Sequence, residues 1–203
     1  MTIWAIVPVK PLRRGKSRLA GMLTEDQRTH LNRYLLEHIL TVLNKVPEIE
    51  HTLVVSRDPT ALALTRSMGG RTVLEGGAPQ FNTALKRATA VAIAHGAHAV
   101  LILPADLPLI TAADVKKLLA RGKTPPAVVI APDRRKDGTN GLLVNPAGLI
   151  DYEYGPESSL RHAERGAQAG ARVEVVPSKN IGLDLDLPED LELVGGLKGL
   201  KLE

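Results

Sequence analysis

Ala97-His98-Ala99-Val100-Leu101-Ile102-Leu103-Pro104-Ala105-Asp106-Leu107-Pro108-Leu109 is the stretch on which the reading of this chain turns. Six of its first seven residues are apolar or small, the pattern of a strand buried on both faces. The run stops at Pro104, delivers a lone carboxylate at Asp106, and meets a second proline at Pro108. In an open parallel sheet, ligands bind just past the carboxyl ends of the strands. Asp106 is therefore placed to face a ligand, and the flanking prolines restrict the loop that carries it. Taken alone, the segment is equally a turn with an acidic cap.

Working outward, strands and helices alternate. Residues 3–9 read as a first strand, 52–56 as a second and 71–74 as a third. Thr24-Glu25-Asp26-Gln27 has the capping-box form, and Leu31, Leu35, Ile39 and Val42 follow at helical spacing. Pro59 opens a helix that closes at Gly69-Gly70; residues 82–95 form another, and Thr111 caps one through 119. After that come strands at 127–131, 142–144 and 172–176, a polar loop at 133–141, a helix at 158–166 and a last short helix from Pro188. The pattern predicts an α/β fold with a mainly parallel, twisted sheet flanked by helices. No repeat or long linker interrupts it, so residues 1–203 are expected to form a single domain.

Composition narrows the function. Hydrophobic residues make up 44% and charged residues 24%, enough for a core and against disorder. Aromatics are only 2%, which argues against base-stacking platforms for nucleic acid. The net charge of +4 suits anionic small molecules only if it gathers in one cleft. Cysteine is absent, so there is neither a disulfide framework nor a thiolate metal site. No signal peptide and no bilayer-length apolar run is visible, and a soluble cytoplasmic protein with no membrane partner is the expectation. A homodimer is the assembly allowed for.

Three constellations carry candidate chemistry. In Gly182-Leu183-Asp184-Leu185-Asp186-Leu187 the strict alternation, read as a strand, puts Asp184 and Asp186 on one face. Two carboxylates so close need a cation between them, and oxygen-only donors suit magnesium or manganese. Asp106 supplies a third ligand. The second constellation is the loop after the first strand, where Lys10, Arg13, Arg14, Lys16 and Arg18 surround Gly15. It stands where doubly wound folds bind phosphate, without a dinucleotide fingerprint or a P-loop. The third joins Asp137-Gly138-Thr139-Asn140-Gly141 to Gly155-Pro156-Glu157-Ser158, with His162 one turn further on. Small hydroxyl residues beside glycines, and a helix start at Ser158, could hold a second small anion.

The order Pro8-Val9-Lys10 to Lys16-Ser17-Arg18-Leu19, Pro104 to Pro108, Asp137 to Asn140, Gly155-Pro156 with Ser158 and His162, and Gly182 to Leu191 resembles the 2-phospho-L-lactate and phosphoenolpyruvate guanylyltransferases of coenzyme F-420 biosynthesis. The likeness covers nearly the whole chain. It implies a nucleotide-diphosphosugar-transferase-like three-layer sandwich and the transfer of GMP from GTP onto a three-carbon phospho-acid, with pyrophosphate released. By position, Asp106, Asp184 and Asp186 are similar to the magnesium ligands. Thr139, Gly155 and Ser158, with His162, are similar to phospho-acid contacts. Lys16 and Arg18 are similar to contacts to the nucleotide phosphates, with Lys10 a further candidate, and Asn82 is similar to a residue facing the nucleoside. Tyr154 departs from the pattern, where phenylalanine is expected.

Such a reaction joins two anions, so positioning and electrostatic stabilisation by Asp106, Lys16 and Arg18 should dominate. Other nucleotidyltransferases of this fold, for sugar phosphates or the molybdenum cofactor, carry a glycine-rich loop where this chain has Val9-Lys10-Pro11-Leu12-Arg13-Arg14-Gly15-Lys16. A non-enzymatic anion- or nucleic-acid-binding module would gain nothing from three aspartates.

Overall fold

In chain order the elements are β1 (Ile3–Val9), a 3-10 turn (Ser17–Leu19), α1 (Glu25–Leu43), β2 (Ile49–Ser56), α2 (Pro59–Ser67), β3 (Arg71–Leu74), α3 (Phe81–Ala94), β4 (Ala99–Ile102), α4 (Ala112–Arg121), β5 (Ala127–Pro132), β6 (Thr139–Asn145), α5 (Ser158–Gln168), β7 (Arg172–Val175), α6 (Lys179–Gly182), α7 (Pro188–Leu193) and α8 (Gly196–Gly199). This computed structural model describes residues 2–76, 80–200 and 202. The helix starts follow local chemistry. Thr24 and Thr111 each close a capping box, and Asp58 caps α2 ahead of Pro59.

The seven strands form one sheet in the order β3-β2-β1-β4-β6-β5-β7. All neighbours run parallel except β6, which is antiparallel to both β4 and β5. The mainly parallel sheet expected from the alternating pattern is therefore what forms. In β4 every side chain is buried, and alternation sends them to opposite faces. Ala99 and Leu101 join a core shared with α1, α2 and α4. Val100 and Ile102 join a second core under α3 and Tyr152. Helices on both faces make three layers. With both faces packed, truncating Leu101 to alanine would cost about 2–5 kcal/mol.

A third apolar cluster decides where the site forms. Leu19 from the basic loop, Leu31 and Leu35 from α1, and Leu185 and Leu191 from the C-terminal segment pack together. This ties the loop after β1 to the acidic stretch more than 160 residues away in sequence, as the Lys16–Asp186 contact shows.

Two expectations are corrected. Residues 183–186 are not a strand; they are extended chain between α6 and α7. The Leu185 amide donates to the Asp106 carbonyl at 2.9 Å instead of joining a ladder. The alternation still sorts the side chains, with Leu183 and Leu185 buried and Asp184 and Asp186 half-buried. Sorting by hydropathy needs only an extended backbone beside a core, so it cannot tell a strand from such a segment. Likewise Thr139 and Asn140 belong to β6 and not to a polar loop. Their side chains are polar, but both are buried and hydrogen-bonded.

Candidate active site

The loop after β1 is held by two side chains from elsewhere. The Leu12 amide donates to Asp58 Oδ2 at 2.7 Å, and Asn32 Nδ2 donates to the Leu12 carbonyl at 2.6 Å. A Cβ on Gly15 would stand 2.6 Å from that same Asn32 nitrogen, so any larger residue forces Asn32 to shift. Lys16 then adopts a left-handed conformation, with φ 58°. Such a conformation costs a non-glycine residue on the order of 1 kcal/mol and persists where its surroundings impose it.

That turn aims Lys16 inward. Its Nζ lies 2.7 Å from Asp106 Oδ2 and 2.7 Å from Asp186 Oδ1, with only 6% of the side chain exposed. Burial pulls the Lys16 pKa down, but the two carboxylates outweigh it and hold the ammonium above its ordinary value. Burial likewise raises Asp186, and Lys16 overturns that, leaving the carboxyl below its ordinary value. Asp184 has no such partner: burial and the nearby Asp106 charge raise it, against a 3.3 Å hydrogen bond from Asn140 Nδ2. Arg18 is 68% exposed and stands 3.9 Å from Asp186. Lys10 is exposed. Of the five loop cations, Lys16 is the one inserted among the aspartates.

Lys16, Asp106 and Asp186 border a cavity of about 390 Å³. Its wall holds Lys10, Gly15, Lys16, Asp106 and Asp186 and also Arg57, Glu75 and Phe81; strand order β3-β2-β1-β4 puts Arg57 and Glu75, which follow β2 and β3, on the side away from Asp106, which follows β4. Thr139, Gly155 and Ser158 are not in its wall. They form a second group, joined to the first through Asn140, which follows Thr139 and reaches Asp184. Here Thr139 Oγ1 receives Ser158 Oγ at 3.2 Å and contacts His162 Nδ1 at 3.0 Å. Gly155 has φ 139° and open space where a Cβ would stand. Burial pushes the His162 pKa down to about 4, despite the opposing pull of Glu153.

Three site expectations change in detail. His162 is fully buried with both ring nitrogens engaged, so it positions Thr139 and does not face a ligand. The helix start at Ser158 is occupied: the amides of Glu157 and Ser159 donate to Asp137, and that of Ser158 to the Gly155 carbonyl. Asn82 uses both ends of its amide on the Tyr154 backbone, at 3.3 and 2.9 Å, and so fixes the Gly155 loop. Sequence reasoning also missed Asn32, Asp58, Arg57, Glu75 and the Asn140–Asp184 link. Each is a contact between distant segments, and no local pattern announces it.

The donor set suits a hard divalent cation. It offers three carboxylates, oxygen only, against one buried ammonium, and Asp184 is left under like-charge repulsion. The carboxylates are not gathered at one point, because Lys16 sits between Asp106 and Asp186; among the described residues no three acidic or histidine side chains converge as a metal site. No described helix is long and apolar enough to cross a membrane.

Comparison with known proteins identifies the family. Residues 3–196 match the family described as Guanylyl transferase CofC like. The phosphoenolpyruvate guanylyltransferase of Rubrobacter xylanophilus is 39% identical over 201 residues, covering 98% of this chain and 97% of the relative. That of Sphaerobacter thermophilus is 35% identical, covering 97% and 94%. Among solved structures, a protein described as a nucleotide-diphospho-sugar transferase from Desulfovibrio desulfuricans superimposes with a TM-score of 0.77 at 18% identity, over 96% of this chain and 87% of the other. A nucleotidyl transferase from Methanothermobacter thermautotroptrophicus gives 0.71 at 16%, over 100% and 99%. These two likenesses speak to the fold.

Proposed function

The chain belongs to the CofC-like guanylyl transferase family and is a nucleotidyltransferase; from that premise we propose that it moves GMP from GTP onto the phosphate of phosphoenolpyruvate or 2-phospho-L-lactate, a step towards coenzyme F-420. An acceptor phosphate oxygen attacks the α-phosphorus, the bond from that phosphorus to the bridging oxygen breaks, and pyrophosphate leaves. The observation that carries this reading is the Lys16 ammonium held between Asp106 and Asp186 in the wall of the cavity.

Lys16 is a fixed cation that cannot turn to solvent, so it offsets phosphate charge without reorganising. Arg18 and Lys10, both exposed, follow the phosphates from the rim. Thr139 offers its hydroxyl to the acceptor from the neighbouring group, held by Ser158 Oγ, beside the open backbone of Gly155. Asp106, Asp184 and Asp186 are the residues that would hold a magnesium ion. When bound, that ion offsets charge on the transferring phosphates. The reading places the enzyme in the cytoplasm.

The test is direct. Purified protein with GTP and magnesium, given phosphoenolpyruvate, 2-phospho-L-lactate or 3-phosphoglycerate in turn, should release pyrophosphate with one of the first two. Release with none of the three overturns the reading.

A further inference from the structure

We propose that Arg57 and Glu75 form the subsite that reads the base of the nucleotide, and that the pair selects guanine. The inference deepens the nucleotidyl-transfer reading and depends on it only for there being a nucleotide in the cavity.

The placement comes from the sheet. β2 and β3 run parallel, and the Glu75 amide donates to the Ser56 carbonyl at 2.9 Å, one step past the last strand pair. Arg57 and Glu75 thus emerge side by side at the carboxyl ends of adjacent strands, where parallel sheets present ligand-binding groups. Arg57 Nε lies 3.5 Å from Glu75 Oε2. Both side chains line the same cavity as Lys16 and Asp106, on the β2–β3 side of the sheet.

Charge assigns the two sides. Beside Glu75 the one cation among the described residues of the wall, Arg57, is matched by a carboxylate, whereas on the β1 side Lys10, Arg14 and Lys16 outnumber Asp106 and Asp186, so phosphate is drawn there. The uncharged part of a nucleotide therefore belongs beside Glu75. Arg57 also has an unused donor: its Nη2 is buried and has no hydrogen-bond partner among the described residues. Buried polar groups are nearly always paired, so a ligand acceptor there removes a standing penalty.

The pairing pattern chooses the base. Along one edge guanine presents an acceptor at O6, then donors at N1 and the 2-amino group. A guanidinium beside a carboxylate presents the complementary order, with Arg57 Nη2 donating to O6 and Glu75 accepting from N1–H and the 2-amino group. Adenine reverses two of these, setting its 6-amino group against Arg57 and its N1 lone pair against Glu75. Phe81, the only phenylalanine in the chain and 39% exposed, lines the cavity and offers a ring to the face of a base.

The test compares GTP, ITP and ATP by equilibrium binding to the unmodified protein, alongside kcat/KM from pyrophosphate release. ITP lacks only the 2-amino group. It should bind roughly 10- to 100-fold more weakly than GTP, and ATP more weakly still. Glu75→Gln should bring the GTP-to-ITP ratio to within about threefold, with KM for the phospho-acid changed by less than about twofold. Equal binding of GTP and ITP by the unmodified protein, which needs no folded variant, overturns the proposal; so does an undiminished ratio in Glu75→Gln. A GTP preference in binding with no turnover on any acid would leave the base subsite standing and reject the transfer reading.

Discussion

Nδ1 of His162 and Oγ1 of Thr139 lie 3.0 Å apart, and the proton between them belongs to the histidine. The Glu153 amide donates to Nε2 at 3.1 Å, so Nε2 is the acceptor nitrogen and Nδ1 carries the hydrogen of the neutral ring. Ser158 Oγ also donates to Thr139. With both lone pairs taken, the Thr139 hydroxyl has its own hydrogen left to give. The histidine thereby makes a threonine into a dedicated donor, which is what an anionic acceptor needs.

Thr139→Val, which removes the donor, should raise KM for the phospho-acid by the equivalent of roughly 1–3 kcal/mol of lost hydrogen bonding, and Ser158→Ala, which removes the bond that orients it, should raise KM less, with KM for GTP little changed in both. Varying each substrate in turn checks this. Equal weakening of both substrates would mean that the group is structural.

His162 should impose a pH dependence on stability. Its pKa is pushed down to about 4 in the fold, against an ordinary 6.5. The unfolded chain thus binds the proton more readily, so stability is full above about pH 6.5 and declines as pH falls towards 4, by up to about 3 kcal/mol. Thermal melts between those values, with His162→Gln as the reference, measure it. The slope between pH 4 and 6.5 should flatten in the variant.

Asp106→Asn should leave the fold intact and remove most of the transfer activity, a loss on the order of several kcal/mol in the transition state. The volume is unchanged and Asp186 still holds Lys16. Near-normal turnover at saturating magnesium would remove Asp106 from the site.

Lys16→Ala should raise KM for GTP and lower kcat while changing KM for the phospho-acid little. It also leaves Asp106 and Asp186 without their shared cation. Added magnesium should then raise the melting temperature of the variant more than that of the unmodified protein. Calorimetric scans with and without the ion decide it.

Gly15→Ala should disturb the loop from a distance. Its Cβ would press on Asn32, which must release the Leu12 carbonyl to move. A cost of about 1–2 kcal/mol in stability and a higher KM for GTP are expected, with normal phospho-acid affinity.

What could be read in the sequence follows the range of the forces involved. The capping box at Thr24, the helix cap at Thr111, the helical spacing of Leu31, Leu35 and Ile39, and the buried run into Asp106 are local, and they were legible. The cluster of Lys16 with Asp106 and Asp186 was legible as charge but not as geometry. Nothing near Lys16 says that its ammonium enters the acidic group while Arg18 stays in solvent. That outcome depends on Asn32 and Asp58, which lie 20 and 46 residues from Leu12. The alternation at Asp184 and Asp186 was misread as a strand because burial beside a core imposes the same period on any extended chain. Arg57 and Glu75 were invisible because each is an ordinary surface residue until two strand ends bring them side by side.

The reversed direction of β6 has a consequence for how such an enzyme can change. Because β6 runs against β4, its first residue, Thr139, reaches the same edge as the carboxyl ends of β1 and β4. The groups proposed for the nucleotide come almost wholly from residues 8–106, and those proposed for the acceptor from residues 133–162. Inheritance can therefore rewrite one substrate without editing the other. A chimera joined between Asp106 and Asp133, within the α4–β5 region, should keep the nucleotide preference of its first parent and take the acceptor of its second.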